Sequence, residues 1–262
     1  MTSEAIITTH FKNVILSGRK TSPQLMPFFH VCTSYVFRSI FHGLKLEPQQ
    51  CNVFEEPLVY FFYGKPAYKI NGGDNISDPS MDPVCWGINP TGINNISGIY
   101  PFDSGAFKAD RYSGLIANHF KLEDFKFDNS LEFIQRFISY FYENNENYFH
   151  SQPSVTDTAI PPMAYEILAL LRLLKIPDKK CDDRAYTIEV HTRDAIDIST
   201  GDIKILGIPS TLMNDQSVAN FIFENDINFF TYDPHRFAPS AISALFYQKT
   251  RELYISEGVI KK

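Results

Sequence analysis

The stretch of sequence that decides the fold runs from residue 28 to residue 68: FFHVCTSYVFRSIFHGLKLEPQQCNVFEEPLVYFFYGKPAY. It begins with a short apolar run that contains His30 and is typical of a strand. Thr33 or Ser34 follows as the N-cap of a helix predicted over residues 35–42, because a side-chain oxygen there accepts from the first free backbone N–H groups. The pattern therefore predicts a strand that turns directly into a helix.

The second half of this stretch predicts another strand, over residues 58–63, because it is dense in β-forming residues. Successive side chains of a strand point to opposite faces. Tyr60 and Phe62 should therefore share one face, and Phe61 and Tyr63 the other. An aromatic face can stack a flat ligand or can simply belong to the core, and the pattern alone leaves both open.

Outside this stretch, strands and helices alternate without a regular βαβ rhythm, which favours an α+β fold. No GxGxxG segment opens a helix after a strand, so a dinucleotide site of the Rossmann type has no support. Residues 89–115 are rich in Gly, Asn, Pro and Ser and are expected to form one long loop. Strands are predicted at 82–88, 186–191, 203–208 and 227–232, and helices at 131–144, 164–175, 217–224 and 240–256.

Composition limits the classes of function. The net charge of −6 disfavours a protein that only coats nucleic acid, since such binding depends on many Lys and Arg contacts with phosphates. The four Cys are far apart and form no CxxC pair, so no metal site is expected. No run of about 18 apolar residues and no signal-peptide pattern occurs, so we expect a cytoplasmic protein that does not bind membranes.

Two further segments carry chemistry-bearing side chains. Glu189 lies between apolar neighbours in RAYTIEVH (184–191), so it either faces solvent or lines a site. Asp103 and Ser104 follow an aromatic pair in GIYPFDSG (98–105), where a turn could present both to a ligand or could be an ordinary turn. His30 with the hydroxyls after it could hold a ribose or a phosphate, or could be a buried His beside an N-cap.

Three segments together resemble DarT-like ADP-ribosyltransferases: HVCTSYVFRSIFHGLKL (30–46), LVYFFYGKPAY (58–68) and RAYTIEVHTRDAIDISTGDIKILGI (184–208). The resemblance implies an ADP-ribosyltransferase-like core, a split and mainly antiparallel β-sheet with flanking helices. It implies a single domain over residues 1–262 with a helical insertion around 116–180. It also implies NAD⁺ as the substrate and no metal.

The resemblance also assigns roles to individual residues. Glu189 would be the catalytic residue, stabilising the ribose as it becomes cationic. Independently of the resemblance, Asp103, Ser104 and Arg111 are candidates for the acceptor side. Residues that would bind NAD⁺ are His30, Thr33, Ser34, Tyr60, Phe62, Tyr63, Tyr68 and Arg184. The basic residue for the pyrophosphate stays open among Lys65, Arg111 and Arg184.

The expected function is thus transfer of ADP-ribose from NAD⁺ to a nucleic acid or a protein, as in a toxin or an antiviral defence effector. An inhibitor or antitoxin protein would then be a further partner. Two alternatives remain. One is an NAD⁺ glycohydrolase, which uses water as the acceptor. The other is a non-catalytic nucleotide sensor or partner-binding protein with the same fold.

Overall fold

A computed structural model of the chain describes residues 10–18, 21–67, 78–176, 183–199, 202–234 and 239–261. Its helices are α1 Phe11–Ser17, α2 Ser34–Gly43, α3 Ser104–Lys108, α4 Leu131–Tyr142, α5 Asn145–Phe149, α6 Tyr165–Leu174, α7 Gln216–Glu224 and α8 Pro239–Ser256. Its strands are β1 Phe28–Thr33, β2 Lys45–Leu46, β3 Gln49–Gln50, β4 Pro57–Tyr63, β5 Pro83–Ile88, β6 Ile96–Tyr100, β7 Glu189–Thr192, β8 Ile196–Asp197, β9 Ile203–Pro209 and β10 Phe229–Tyr232. Within the described ranges, no helix has both the length and the apolar character needed to cross a membrane.

One mixed sheet organises these elements. Its strands follow the order β10-β9-β5-β1-β4-β7-β6, and β3 pairs with β4 beside this path. β10 runs parallel to β9, whereas the other pairs in the sheet are antiparallel. β2 and β8 form a separate two-stranded sheet. The chain is therefore an α+β protein with a mainly antiparallel sheet, as the sequence predicted.

The two central strands, β1 and β4, pair over only a short distance. Their register consists of Phe28 opposite Tyr63 and Phe29 opposite Phe62. β1 then continues to Thr33 while it stays paired with β5 along its whole length. β4 instead pairs with β7 on its other side. The backbone ladder between β1 and β4 thus ends within the sheet, and the cavity described below lies at this fork.

Local capping explains how β1 becomes α2. The side chain of Thr33 accepts a hydrogen bond from the backbone N–H of Val36 at 3.3 Å, so Thr33 is the N-cap. The hydroxyl of Ser34 instead donates to the carbonyl of Asp82 at 3.0 Å. α2 ends at Gly43, and the next residue, Leu44, is its C-cap in the left-handed conformation (φ 50°). The sequence-based prediction of a strand turning into a helix is confirmed, with Thr33 as its cap.

The prediction of one long loop over residues 89–115 is wrong. This segment contains β6, which pairs with β7, and the short helix α3. The side chain of Asp103 caps α3 by accepting from the N–H of Ala106 at 2.8 Å. β6 pairs with a strand about 90 positions later in the chain, and no local sequence pattern indicates such a distant partner.

The strand predicted to begin at Tyr186 begins later, at Glu189. Residues Asp183–Tyr186 form a 3-10 turn instead. The hydroxyl of Thr187 donates to the carbonyl of Asp183 at 2.7 Å and closes this turn. Glu189 is therefore the first residue of β7 rather than a mid-strand residue.

Gly98 allows β6 to approach β7 closely. A Cβ atom at this position would lie 2.3 Å from Cε1 of His191. We expect Gly98→Ala to lower the free energy of unfolding by about 1–3 kcal/mol, because the buried ring would have to shift within a packed wall. Urea unfolding measures this change.

Gly43→Ala is the matched control for Gly98→Ala. No heavy atom lies within 4 Å of a Cβ placed at Gly43. Ala is also the better helix former, so this variant should be as stable as the wild type or more stable. Equal stability of the Gly98→Ala protein would mean that the position of His191 is not fixed by this contact.

Candidate functional site

A cavity of about 680 Å³ opens at the fork between β1 and β4. This volume is within the usual range of small-molecule sites. β1 contributes His30 and Thr33 to its wall, and β4 contributes Tyr60 and Phe62. β7 contributes Glu189, and Asp103, Ser104 and Gly105 come from the start of α3. Side chains from segments more than 150 residues apart in the chain thus line one cavity.

Glu189 is the more deeply buried of the two buried acidic residues that line this cavity. It pairs with Phe62 of β4 and with Tyr100 of β6 in the strand register, and it is only 3% exposed. Its Oε2 accepts from the backbone N–H of Ser104 at 3.1 Å. Its Oε1 has no hydrogen-bond partner among the described residues. A buried oxygen of this kind is costly unless a ligand or water completes its hydrogen bonding.

The surroundings of Glu189 disfavour its charged form. Burial raises the pKa of Glu189 from its ordinary value of 4.5 to about 8, and the negative charge of Asp103 acts in the same direction. Hydrogen bonding from Ser104 opposes this rise only in part. A carboxyl group with a strongly raised pKa in a cavity is typical of functional sites.

Three contacts fix Asp103 beside Glu189. Its Oδ1 accepts from the N–H of Ala106, and its Oδ2 lies 3.5 Å from Nη1 of Arg184. Its backbone N–H donates to the carbonyl of Arg184 at 3.1 Å. The next residue, Ser104, is fully buried, and hydrogen bonding from its backbone N–H and its side chain lowers the pKa of Glu189.

His30 lies on the β1 side of the cavity. Its Nδ1 donates to the carbonyl of Tyr60 at 2.9 Å, since a carbonyl oxygen only accepts. Desolvation lowers the pKa of His30, so the ring is neutral at pH 7. In this tautomer Nε2 carries no proton and can accept a hydrogen bond from a ligand hydroxyl.

The aromatic strand presents its two faces as the alternation predicted. Tyr60 and Phe62 line the cavity. Phe61 and Tyr63 instead pack on Phe28, with ring centroids 5.8 and 5.7 Å away. The hydroxyl of Tyr63 accepts from the backbone N–H of Met26 at 3.0 Å. Tyr63 is therefore a core residue and lies away from the cavity.

Tyr60 has a second role in the cavity wall. Its hydroxyl lies 2.6 Å from the Sγ of Cys51, which also lines the cavity. Burial raises the pKa of Tyr60. The phenol is therefore neutral and held in place, with its ring face rather than a phenolate available to a ligand.

His191 forms a neutral aromatic support behind this wall. Its ring is 4.7 Å from that of Phe54 and 5.4 Å from that of Tyr60. Nδ1 lies 3.1 Å from the hydroxyl of Ser97. Burial lowers the pKa of His191 to about 4, so it carries no charge at pH 7.

Several residues that the resemblance assigned to the site lie elsewhere. The hydroxyl of Ser34 is turned to the carbonyl of Asp82. Arg184 does not line the cavity, and its Nη1 lies 3.5 Å from Oδ2 of Asp103, which does. Arg111 is exposed and does not line the cavity. Tyr68 lies outside the described residues.

Lys65 is buried away from the cavity as well. Its Nζ donates to the hydroxyl of Ser151 at 2.5 Å and lies 5.1 Å from the ring centroid of Tyr148. The residue is 1% exposed. Among the three basic residues considered for the pyrophosphate, none lines the cavity.

The sequence-based analysis missed Lys45, an exposed residue that lines the cavity. It follows the end of α2 by two positions, in the segment that carries the resemblance. Its proximity to that helix was the only available signal. Ser39 and Cys51, which also line the cavity, gave no signal in the sequence.

Comparison of the chain with family models, with curated proteins and with solved structures gave no match. Within the described ranges, no three His, Cys, Asp or Glu side chains come together in a way that could hold a metal ion. The geometry of the cavity is therefore the main indication of function.

Proposed function

We propose that the protein is an NAD⁺-dependent ADP-ribosyltransferase. One observation carries the proposal: His30 of β1, Tyr60 of β4 and Glu189 of β7 line the same cavity, although nothing local in the sequence brings them together. The resemblance assigned His30 and Tyr60 to the binding of NAD⁺ and Glu189 to catalysis. The fork between β1 and β4 also supports the expected split of the sheet.

The cavity offers suitable partners for each part of NAD⁺. The free Nε2 of His30 can accept from a ribose hydroxyl. The rings of Tyr60 and Phe62 can pack against the flat nicotinamide. Lys45 supplies a positive charge for the pyrophosphate, as a point charge rather than a bidentate clamp.

Glu189 performs the electrostatic part of the reaction. The bond from C1 of the ribose to the nicotinamide nitrogen breaks, and its electron pair leaves with nicotinamide. The ribose becomes cationic, and the Glu189 carboxylate stabilises it in a site with little water. Its free Oε1 can accept a hydrogen bond from a ribose hydroxyl. The positive charge of the bound nicotinamide favours the ionised form of Glu189.

The acceptor in this proposal is a nucleic acid or a protein, and the cellular role is that of a toxin or defence effector under the control of an inhibitor protein. Incubation of the purified protein with NAD⁺ and separate DNA, RNA and protein fractions tests it. Labelled acceptor together with free nicotinamide supports transfer. Free ADP-ribose without a labelled acceptor indicates a glycohydrolase, and no nicotinamide at all contradicts both.

The pH dependence of this reaction follows from the ionisation of Glu189. The charged form is active, and the pKa of Glu189 in the free protein is about 8. We expect kcat/KM for NAD⁺ to rise tenfold per pH unit below pH 8 and to level off above it, a change of about 20-fold between pH 6.5 and pH 8.5. Nicotinamide release measured at saturating acceptor over this range checks it. A flat profile would contradict the assigned role of Glu189.

A further inference from the structure

The cavity holds a second carboxylate, Asp103, whose contacts leave part of it available. Asp103 accepts from the N–H of Ala106 and lies 3.5 Å from Arg184, and the residue is 9% exposed. A carboxylate can accept about four hydrogen bonds, so a ligand can still bind to it. A neighbouring buried atom, Oε1 of Glu189, has no hydrogen-bond partner among the described residues. Glu189 also lines the cavity, so a ligand in this corner can reach both carboxyl groups.

Capping of α3 does not explain why this residue is an Asp. Asn or Ser caps a helix about as well as Asp. The negative charge of Asp103 also makes Glu189 harder to ionise, which opposes the role proposed for Glu189. The charge of this cap therefore slows the first step of the reaction, because that step needs the ionised form of Glu189. A second step that needs a base would explain why the charge is present.

We propose that Asp103 is the general base that activates the acceptor, an inference that rests on the proposed function. A lone pair of the acceptor oxygen or nitrogen forms the bond to C1 of the ribose as the bond to nicotinamide breaks. The proton of that O–H or N–H group passes to the carboxylate of Asp103 and then to solvent. The two carboxyl groups thus divide the work: Glu189 stabilises the cationic sugar, and Asp103 removes the proton.

Asp103→Asn, with azide as a nucleophile, separates this role from a structural one. Asn keeps the cap on α3 but cannot take a proton. Azide attacks C1 without losing a proton, whereas water must lose one. With NAD⁺ and water alone, we expect the variant to form ADP-ribose about 10²–10⁴-fold more slowly than the wild type. Sodium azide should restore nicotinamide release, with ADP-ribosyl azide as the product.

Asp215→Asn is the matched control, because Asp215 caps α7 by accepting from Ser217 at 2.8 Å and does not line the cavity. It should behave as the wild type with both nucleophiles. Asp103→Ser, which also keeps a capping oxygen, repeats the test if the Asn variant does not fold by circular dichroism. If Asp103→Asn loses the formation of ADP-ribose and of ADP-ribosyl azide to the same extent, the proposal is overturned and the role of Asp103 is structural.

Two other results would also overturn it. Faster cleavage by Asp103→Asn at pH 6.5, without a change in the product ratio, would mean that Asp103 only opposes the ionisation of Glu189. Wild-type protein that releases no nicotinamide with either nucleophile, nor with the DNA, RNA and protein fractions, would overturn the proposed function itself. If the wild type cleaves NAD⁺ with water and the Asp103→Asn variant does so equally fast, the role of Asp103 as general base is overturned, but the proposed function is not.

Discussion

Glu189→Gln is expected to reduce nicotinamide release from NAD⁺ by about 10²–10³-fold, the usual cost of removing one electrostatic group from a transition state. The substitution keeps the size of the side chain, and its amide oxygen can still accept from the N–H of Ser104. What it removes is the negative charge opposite the cationic sugar. Liquid chromatography of nicotinamide under single-turnover conditions measures the loss.

Glu257→Gln is the control for this experiment, because Glu257 is exposed after the end of α8 and does not line the cavity. Its turnover should equal that of the wild type. The near-ultraviolet circular dichroism of the Glu189→Gln protein should also be unchanged, since the contacts of its neighbours are retained. Full turnover in a correctly folded Glu189→Gln protein would exclude Glu189 as the catalytic residue.

The parts of the site that sequence predicted were those set by local geometry. Alternation along β4 separated Tyr60 and Phe62 from Phe61 and Tyr63, and the structure has the first pair at the cavity and the second in the core. The apolar neighbours of Glu189 left burial and exposure open, and it is buried. The separation of the two faces follows from the period of a strand, whereas the burial of Glu189 was not predicted, because apolar neighbours fit either an exposed or a buried charge.

The parts that sequence did not predict depend on distant partners. Arg184 has Asp103, 81 positions earlier, as its partner, and Lys65 has Ser151, 86 positions later. Neither partner is encoded in the neighbouring residues, so both basic residues remained candidates for the pyrophosphate. The strand β6 was missed for the same reason, because its hydrogen bonds come from β7. The side chains meet in one cavity because of the order of the strands in the sheet, and local sequence patterns do not indicate that order.

The buried Glu189 should also make the folded protein less stable at neutral and alkaline pH. The unfolded chain releases this proton near pH 4.5, whereas the folded protein retains it up to about pH 8. Between these values the folded state binds one proton more than the unfolded state, so stability falls as pH rises. Gln has no proton to lose. We therefore expect Glu189→Gln to raise the free energy of unfolding by about 3 kcal/mol at pH 7.

The difference in stability between wild type and Glu189→Gln isolates this effect. His191, whose pKa is lowered to about 4, makes both proteins less stable as the pH falls from 6.5 to 4, so its contribution cancels in the difference. Urea unfolding at pH 4.5, 6, 7 and 8 should give a difference that is near zero at the lowest pH and increases to pH 8. A difference that does not vary with pH would mean that Glu189 is already ionised in the folded protein. In that case the cavity stabilises the charge before the substrate arrives, and the rise of kcat/KM towards pH 8 should disappear with it.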